Sequence, residues 1–182
     1  MKTPIKSMLC FTNAQKILDF LLQKPSGKFY DREVANLTGV SPAGTNFSLR
    51  DLAKAGLANK ETKGKMNFYS VDPQDPLIQQ LKVVQNIVFL KPLIEAIKND
   101  CLRIILFGSS AKGTNQEESD CDLFVLSRDK EKVQESIVKY GSPLKIQPIL
   151  HTPQEWVKIE KTNEVLANQI EKGIVLWESH ES

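Results

Sequence analysis

Two aspartates, Asp120 and Asp122, stand two residues apart, and ten residues separate them from the pair Gly108-Ser109. Each feature closes or enters an apolar run of strand type: Leu102–Phe107 ends at Gly108, and Cys121–Leu126 contains Asp122. Residues i and i+2 of a strand point to the same face, so the two carboxylates converge. A converging carboxylate pair is a hard, oxygen-rich site suited to Mg²⁺. Gly108 has no side chain, so a bulky anion can reach its backbone. Ser109 offers an N–H and a hydroxyl to phosphate oxygens, and a helix starting there would add the pull of its positive N-terminal end. Ser119 either shapes the turn before the aspartates or bonds phosphate, and Lys112 reads as an exposed lysine. The pattern is a phosphate cradle beside a metal-binding carboxylate pair.

The wording Gly-Ser-Ser-Ala-Lys-Gly, then Ser-Asp-Cys-Asp-Leu, resembles the nucleotidyltransferase superfamily typified by DNA polymerase β, and most of all its minimal branch. The resemblance runs from about Leu102 to Leu150. It implies a small mixed sheet with flanking helices. It also implies transfer of a nucleotidyl group from ATP or another NTP to a hydroxyl, with Mg²⁺ as cofactor. On this reading Gly108, Ser109 and Ser119 meet the nucleotide, and Asp120 and Asp122 are the catalytic metal ligands. The chain departs from the pattern at one place. The third carboxylate usual on the neighbouring strand is replaced in Lys145-Ile146-Gln147-Pro148 by Gln147. An amide cannot accept a proton and is a poor metal ligand beside carboxylates. His151 is an alternative base only in principle.

The elements that must position these residues follow from pattern. Leu102–Phe107, Cys121–Leu126, Leu144–Leu150 and Ile174–Trp177 read as extended, and Lys130–Tyr140, Pro153–Lys161 and Glu164–Lys172 as helices. Gly141-Ser142-Pro143 is a break. Upstream, Asp72-Pro73-Gln74-Asp75-Pro76 is a linker, and a helix from Leu77 carries an apolar series with a kink or break expected at Pro92. That helix either pairs with a second copy of the chain in a homodimer or covers the sheet that follows it.

The first part of the chain reads as helix (Asn13 cap, through Lys24), short strand (Lys28–Tyr30), helix (Asp31 cap, Arg32–Leu37), helix (Ser41 cap, toward Ala55) and hairpin (Leu57–Thr62, Met66–Val71, turn at Lys63-Gly64). This order, with Leu49 to Leu57, resembles winged-helix regulators of the ArsR and MarR type. In that family the third helix enters the DNA major groove and the wing touches backbone. Asn46, Ser48 and Arg50 are the outward positions expected to reach bases, Lys60, Lys63 and Lys65 those expected to reach phosphates, and Leu49 and Leu52 point inward.

Charge supports that division. The whole chain of 182 residues is only +2, but through Asp72 it holds 11 Lys/Arg against 6 Asp/Glu, a balance of +5. A polyanion partner such as duplex DNA therefore belongs to the first part. Cys10, Cys101 and Cys121 have no metal-ligand spacing and read as small buried residues of a cytoplasmic protein. No stretch reads as a membrane span.

The expectation is an α+β chain: a winged helix at 1–72, a linker and connecting helix at 73–98, and a mixed-sheet nucleotidyltransferase-like domain at 99–182. Two functions compete. One is a nucleotidyltransferase whose acceptor is a protein, such as a HEPN-type partner, or a small molecule. The other is a winged-helix transcriptional regulator whose transferase-like domain senses nucleotide without turnover.

Overall fold

The computed structural model describes residues 12–141 and 144–179, leaving Cys10, Ser142 and Pro143 outside. Its architecture is mixed α and β, with eight helices and two sheets among the described residues. The chain forms two compact units that divide between Lys82 and Val83. The division falls inside the helix left as a connector by the sequence.

The first unit contains α1 (Asn13–Gln23), β1 (Phe29–Tyr30), α2 (Asp31–Thr38), α3 (Pro42–Lys54), β2 (Asn59–Lys63) and β3 (Met66–Ser70). The strands form an antiparallel sheet in the order β1-β3-β2. Two of the expected caps shift by one residue. Thr12 caps α1, with its hydroxyl accepting from Gln15 N while Gln15 Oε1 accepts from Thr12 N, so the cap is a box rather than Asn13 alone. Tyr30 precedes α2, and the Glu33 carboxylate accepts from its N–H. Ser41 caps α3 with Pro42 at the first helical position, as expected. The helix runs regularly through Gly44, where a Cβ would lie 3.0 Å from Asn13 Nδ2 and from Ser41 Oγ. The hairpin turn is Gly64-Lys65, one residue later than expected, and Gly64 has φ 60° as the first central residue of a two-residue loop. Ile17, Leu21, Val34, Leu49, Leu52, Tyr69 and Ile78 form the core.

Helix α4 (Pro76–Ile97) starts under an Asp75 cap and runs unbroken through Pro92, where a kink or break was expected. The second unit adds β4 (Arg103–Leu106), α5 (Gly108–Lys112), β5 (Cys121–Leu126), α6 (Lys130–Tyr140), β6 (Ile146–His151), α7 (Pro153–Thr162), α8 (Glu164–Glu171) and β7 (Ile174–Glu178). Its sheet has the order β6-β5-β4-β7. Strands β4/β5 and β4/β7 are antiparallel, while β5/β6 are parallel and joined by α6, as a parallel pair requires.

Alternation along the central strands buries both faces. Ile104, Leu106, Leu123 and Val125 pack with Leu90, Leu93, Ile94 and Ile97 of α4 and with Val133 and Ile137 of α6. Ile105, Phe107 and Phe124 pack with Ile170 of α8 and with Trp156 of α7. The later turns of α4 thus cover the sheet, one of the two roles foreseen for that helix. Among the described residues no helix is long and apolar enough to cross a membrane.

Candidate functional site

Strand β4 ends at Leu106, Phe107 follows in extended conformation, and the chain reverses into α5 at Gly108. Gly108 has φ 68°, a conformation costly for any residue with a Cβ. A Cβ built there would collide with the carboxylate of Asp122. Glycine is therefore required by both backbone and space: the loop lies directly against Asp122. Phe107 N donates to Asp122 O at 3.1 Å, which fixes that approach. Helix α5 spans only five residues, so what it brings is unpaired first-turn N–H groups rather than a developed macrodipole. Gly113, at φ 71°, ends it.

Asp122 lies in β5, and Asp120 immediately precedes that strand. Both are half-buried. Burial pushes the Asp122 carboxyl above its ordinary value, and the neighbouring charge of Asp120 adds to the rise. Lys145 Nζ stands 2.7 Å from Asp120 Oδ1, and that ion pair raises the Lys145 ammonium in turn. Ser119 shapes the turn: its hydroxyl accepts from Gln116 N at 2.8 Å, and its N–H donates to Gln116 O. Lys112 is exposed.

The parallel β5/β6 ladder sets Asp122 directly beside Gln147. His151 pairs with Leu126 at the far end of the same ladder. Four residues along a strand span about 13 Å, which takes His151 away from the aspartates. It faces Glu155 and Trp156 instead. Among the described residues no three His, Cys, Asp or Glu side chains gather as a metal-binding group.

One polar network escaped the sequence reading. Asn86 of α4 donates from Nδ2 to Ser110 O at 2.9 Å and to Asn115 Oδ1 at 3.1 Å. All three residues are buried. Their sequence separations of 24 and 29 residues left no local signal.

In the first unit Arg50, Lys60, Lys63 and Lys65 are exposed. Ser48 is not an outward residue: it is 6% exposed and shares the inward stripe of Thr45, Leu49 and Leu52. Phe47, at 69% exposed, takes the outward place beside Arg50. Asn46 is half-buried and donates to Asp31 Oδ2 at 3.3 Å. Glu61 receives both Lys28 at 2.7 Å and Lys63 at 3.2 Å, so Lys63 of the hairpin already has an acidic partner.

A Gly-Ser reversal after one strand, packed against an Asp-x-Asp strand in a small mixed sheet, defines a nucleotidyltransferase-type domain. The chain belongs to the polymerase beta nucleotidyltransferase family, whose model matches residues 91–182, just over half of its length. A Methanocaldococcus jannaschii protein bearing the name "putative protein adenylyltransferase" is 38% identical over 88 residues. That match takes in 41% of this chain and 58% of the relative, under two thirds of the relative's length. Among solved structures, TrmBL2, an archaeal chromatin protein described with a novel mode of DNA binding, matches over 85% of this chain and 70% of its own, at 18% identity. Its TM-score of 0.29 gives the similarity no weight for this chain.

Proposed function

We propose that the second unit binds a Mg²⁺-nucleoside triphosphate between Gly108-Ser109 and Asp120/Asp122, and transfers its nucleotidyl group slowly or not at all. The observation carrying this reading is Gln147 beside Asp122. The donor set fits one Mg²⁺ that arrives with its triphosphate: two carboxylates are too few for the ion alone, and phosphate oxygens complete its shell. When bound, the ion neutralises phosphate charge and polarises the phosphoryl group. The protein's own contribution is a backbone without a side chain at Gly108, the N–H and hydroxyl of Ser109, and two carboxylates. Ser119 keeps the turn that presents them. Replacing a third carboxylate by an amide leaves the site less negative, which favours a polyanionic ligand. It also removes the group that would take the proton from an attacking hydroxyl.

Adenylyl transfer to a protein hydroxyl is the second reading, favoured by the name of the 38% identical relative. There the acceptor oxygen attacks the α-phosphorus, pyrophosphate leaves, and the acceptor proton must pass to water or to a base on the partner. A HEPN-type protein is one such acceptor. For the first unit the reading is a winged helix on duplex DNA, with Arg50 and the hairpin lysines on phosphate and Asn46 and Phe47 facing the groove. Its support is the +5 balance through Asp72.

The test is a titration of the full chain with ATP, with and without Mg²⁺, beside the variant Asp120→Asn/Asp122→Asn. The fold should survive in the variant and metal-dependent binding should vanish. Undiminished metal-dependent binding by the folded double variant would refute the site. Strong incorporation of labelled nucleotide by the unaltered chain, lost in Asp122→Asn, would replace the sensor with the enzyme.

A further inference from the structure

We infer that Asn86 is a positioning residue for the phosphate loop, clamping its two ends from behind. This rests on the reading that Gly108-Ser109 holds phosphate. A primary amide nitrogen has two N–H donors, and those of Asn86 go to Ser110 O, inside α5, and to Asn115 Oδ1, beyond the Gly113 reversal. One side chain therefore ties the short helix to the segment leaving it. Five residues of helix cannot hold their own shape, because nearly every carbonyl lies at the terminus. Ser109 O is satisfied locally, by Thr114 N at 3.1 Å and by the Gly113 N–H. Ser110 O receives its hydrogen bond from Asn86.

Burial makes the clamp exacting. Asn86 is 3% exposed, Ser110 2% and Asn115 9%, so water is poorly placed to replace either bond. Asn86 sits on α4, whose Leu90, Leu93 and Ile94 are locked into the sheet's core. The amide is thus held by a rigid element, and it holds in turn a loop that touches Asp122. A loop fixed before the nucleotide arrives loses less freedom on binding, which strengthens affinity without any contact to the ligand. Partners that hold metal ligands in place typically change affinity or activity by about 10–100-fold, and by analogy a loop-holding amide should weaken nucleotide affinity by a like factor when lost.

The experiment compares the full chain with Asn86→Asp, which keeps the shape but presents a carboxylate to two acceptors, and with Asn115→Ala, which removes one of the two bonds. The second variant covers the case in which the first does not fold. Hydrogen exchange of the 108–115 segment and Mg²⁺-ATP affinity are both measured. Faster exchange confined to that segment, with affinity about 10–100-fold weaker for Asn86→Asp and a smaller loss for Asn115→Ala, is the expected result. Unchanged exchange in a folded variant overturns the clamp. Faster exchange with unchanged affinity overturns the positioning role. Absence of Mg²⁺-ATP binding by the unaltered chain instead overturns the nucleotide reading itself, while the exchange result still judges the clamp.

Discussion

Restoring a carboxylate at position 147 tests the central claim, because Asp122 and Gln147 are register partners on parallel strands. The Cβ atoms of facing residues on neighbouring strands lie about 5 Å apart, and a similar separation serves for their carboxylates. At that distance two unit charges repel by about 3 kcal/mol at an effective dielectric near 20, and by about 0.8 kcal/mol in bulk water. Gln147 is exposed and Asp122 half-buried, so solvent screening leaves about 1–2 kcal/mol. Gln147→Asp should therefore melt lower than the unaltered protein when no metal is added, by about 4–8 °C for each kcal/mol in a unit of this size. The penalty exists only while the carboxylates are ionised. It is present above their titration range, which burial and then the Asp120 charge push upward for Asp122, and it disappears as the pH falls through that range. Mg²⁺ should erase it at neutral pH, giving the variant a larger metal-induced rise in Tm than the unaltered chain. A third carboxylate also supplies a base, so labelled-nucleotide transfer should rise, toward the about 10²–10⁴-fold typical of such groups, if Pro148 leaves the strand in place. Equal stabilisation by Mg²⁺ in both proteins would refute the claim that residue 147 borders the metal site.

Gly108→Ala should lose Mg²⁺-nucleotide binding and cost about 1–2 kcal/mol from its left-handed backbone alone, with more from the displaced Asp122; calorimetric melting and an ATP titration read both, and unchanged affinity would refute the cradle. In the first unit, Lys60→Ala/Lys63→Ala/Lys65→Ala should flatten the dependence of DNA affinity on salt by less than three full contacts' worth, at about 0.9 in log–log slope each, because Lys63 is already paired with Glu61. Anisotropy titrations across salt concentrations measure it, and no binding at low salt would make the unit a docking module. Glu155 is held down to about 2 by the Lys130 ammonium and then by the Thr152 N–H, against an ordinary 4.5. Its contribution is present above pH 4.5 and fades as the pH falls toward 2, so Lys130→Met should shift acid unfolding to higher pH, seen by circular dichroism.

Most of the second unit was legible because its elements repeat at periods that residue types reveal. Cys121–Leu126 and Lys130–Tyr140 fold over the ranges read from the sequence. The family resemblance puts Gln147 on the strand neighbouring the aspartates, and the parallel β5/β6 ladder pairs it with Asp122. The misses share a physical origin in the neighbourhood of each residue. Ser48 was assigned outward on polarity, yet Leu49 and Leu52 fix a helical phase whose stripe also includes Thr45 and Ser48. Pro92 carries the expectation of a kink or break; the helix does not break there, because Leu90, Leu93 and Ile94 are buried on both sides of it and that packing outweighs one lost hydrogen bond. Asn86 gave no sign, since a buried amide on an otherwise apolar helix acquires meaning only from the loop it meets.

The edge strand β6 decides what the aspartates can do. Its chain places Lys145 against Asp120 and Gln147 against Asp122, so a position where a third negative charge would strengthen metal binding carries one cation and one neutral amide. Two carboxylates offset by an ammonium should attract a bare divalent ion weakly, and on the proposed reading they accept one already chelated by a triphosphate. On that reading the site selects the nucleotide complex over the free metal. His151, at the other end of the ladder, cannot supply the missing base. On the proposed reading the arrangement favours holding a nucleotide over consuming it, and any acceptor that is modified must bring the means of losing its own proton.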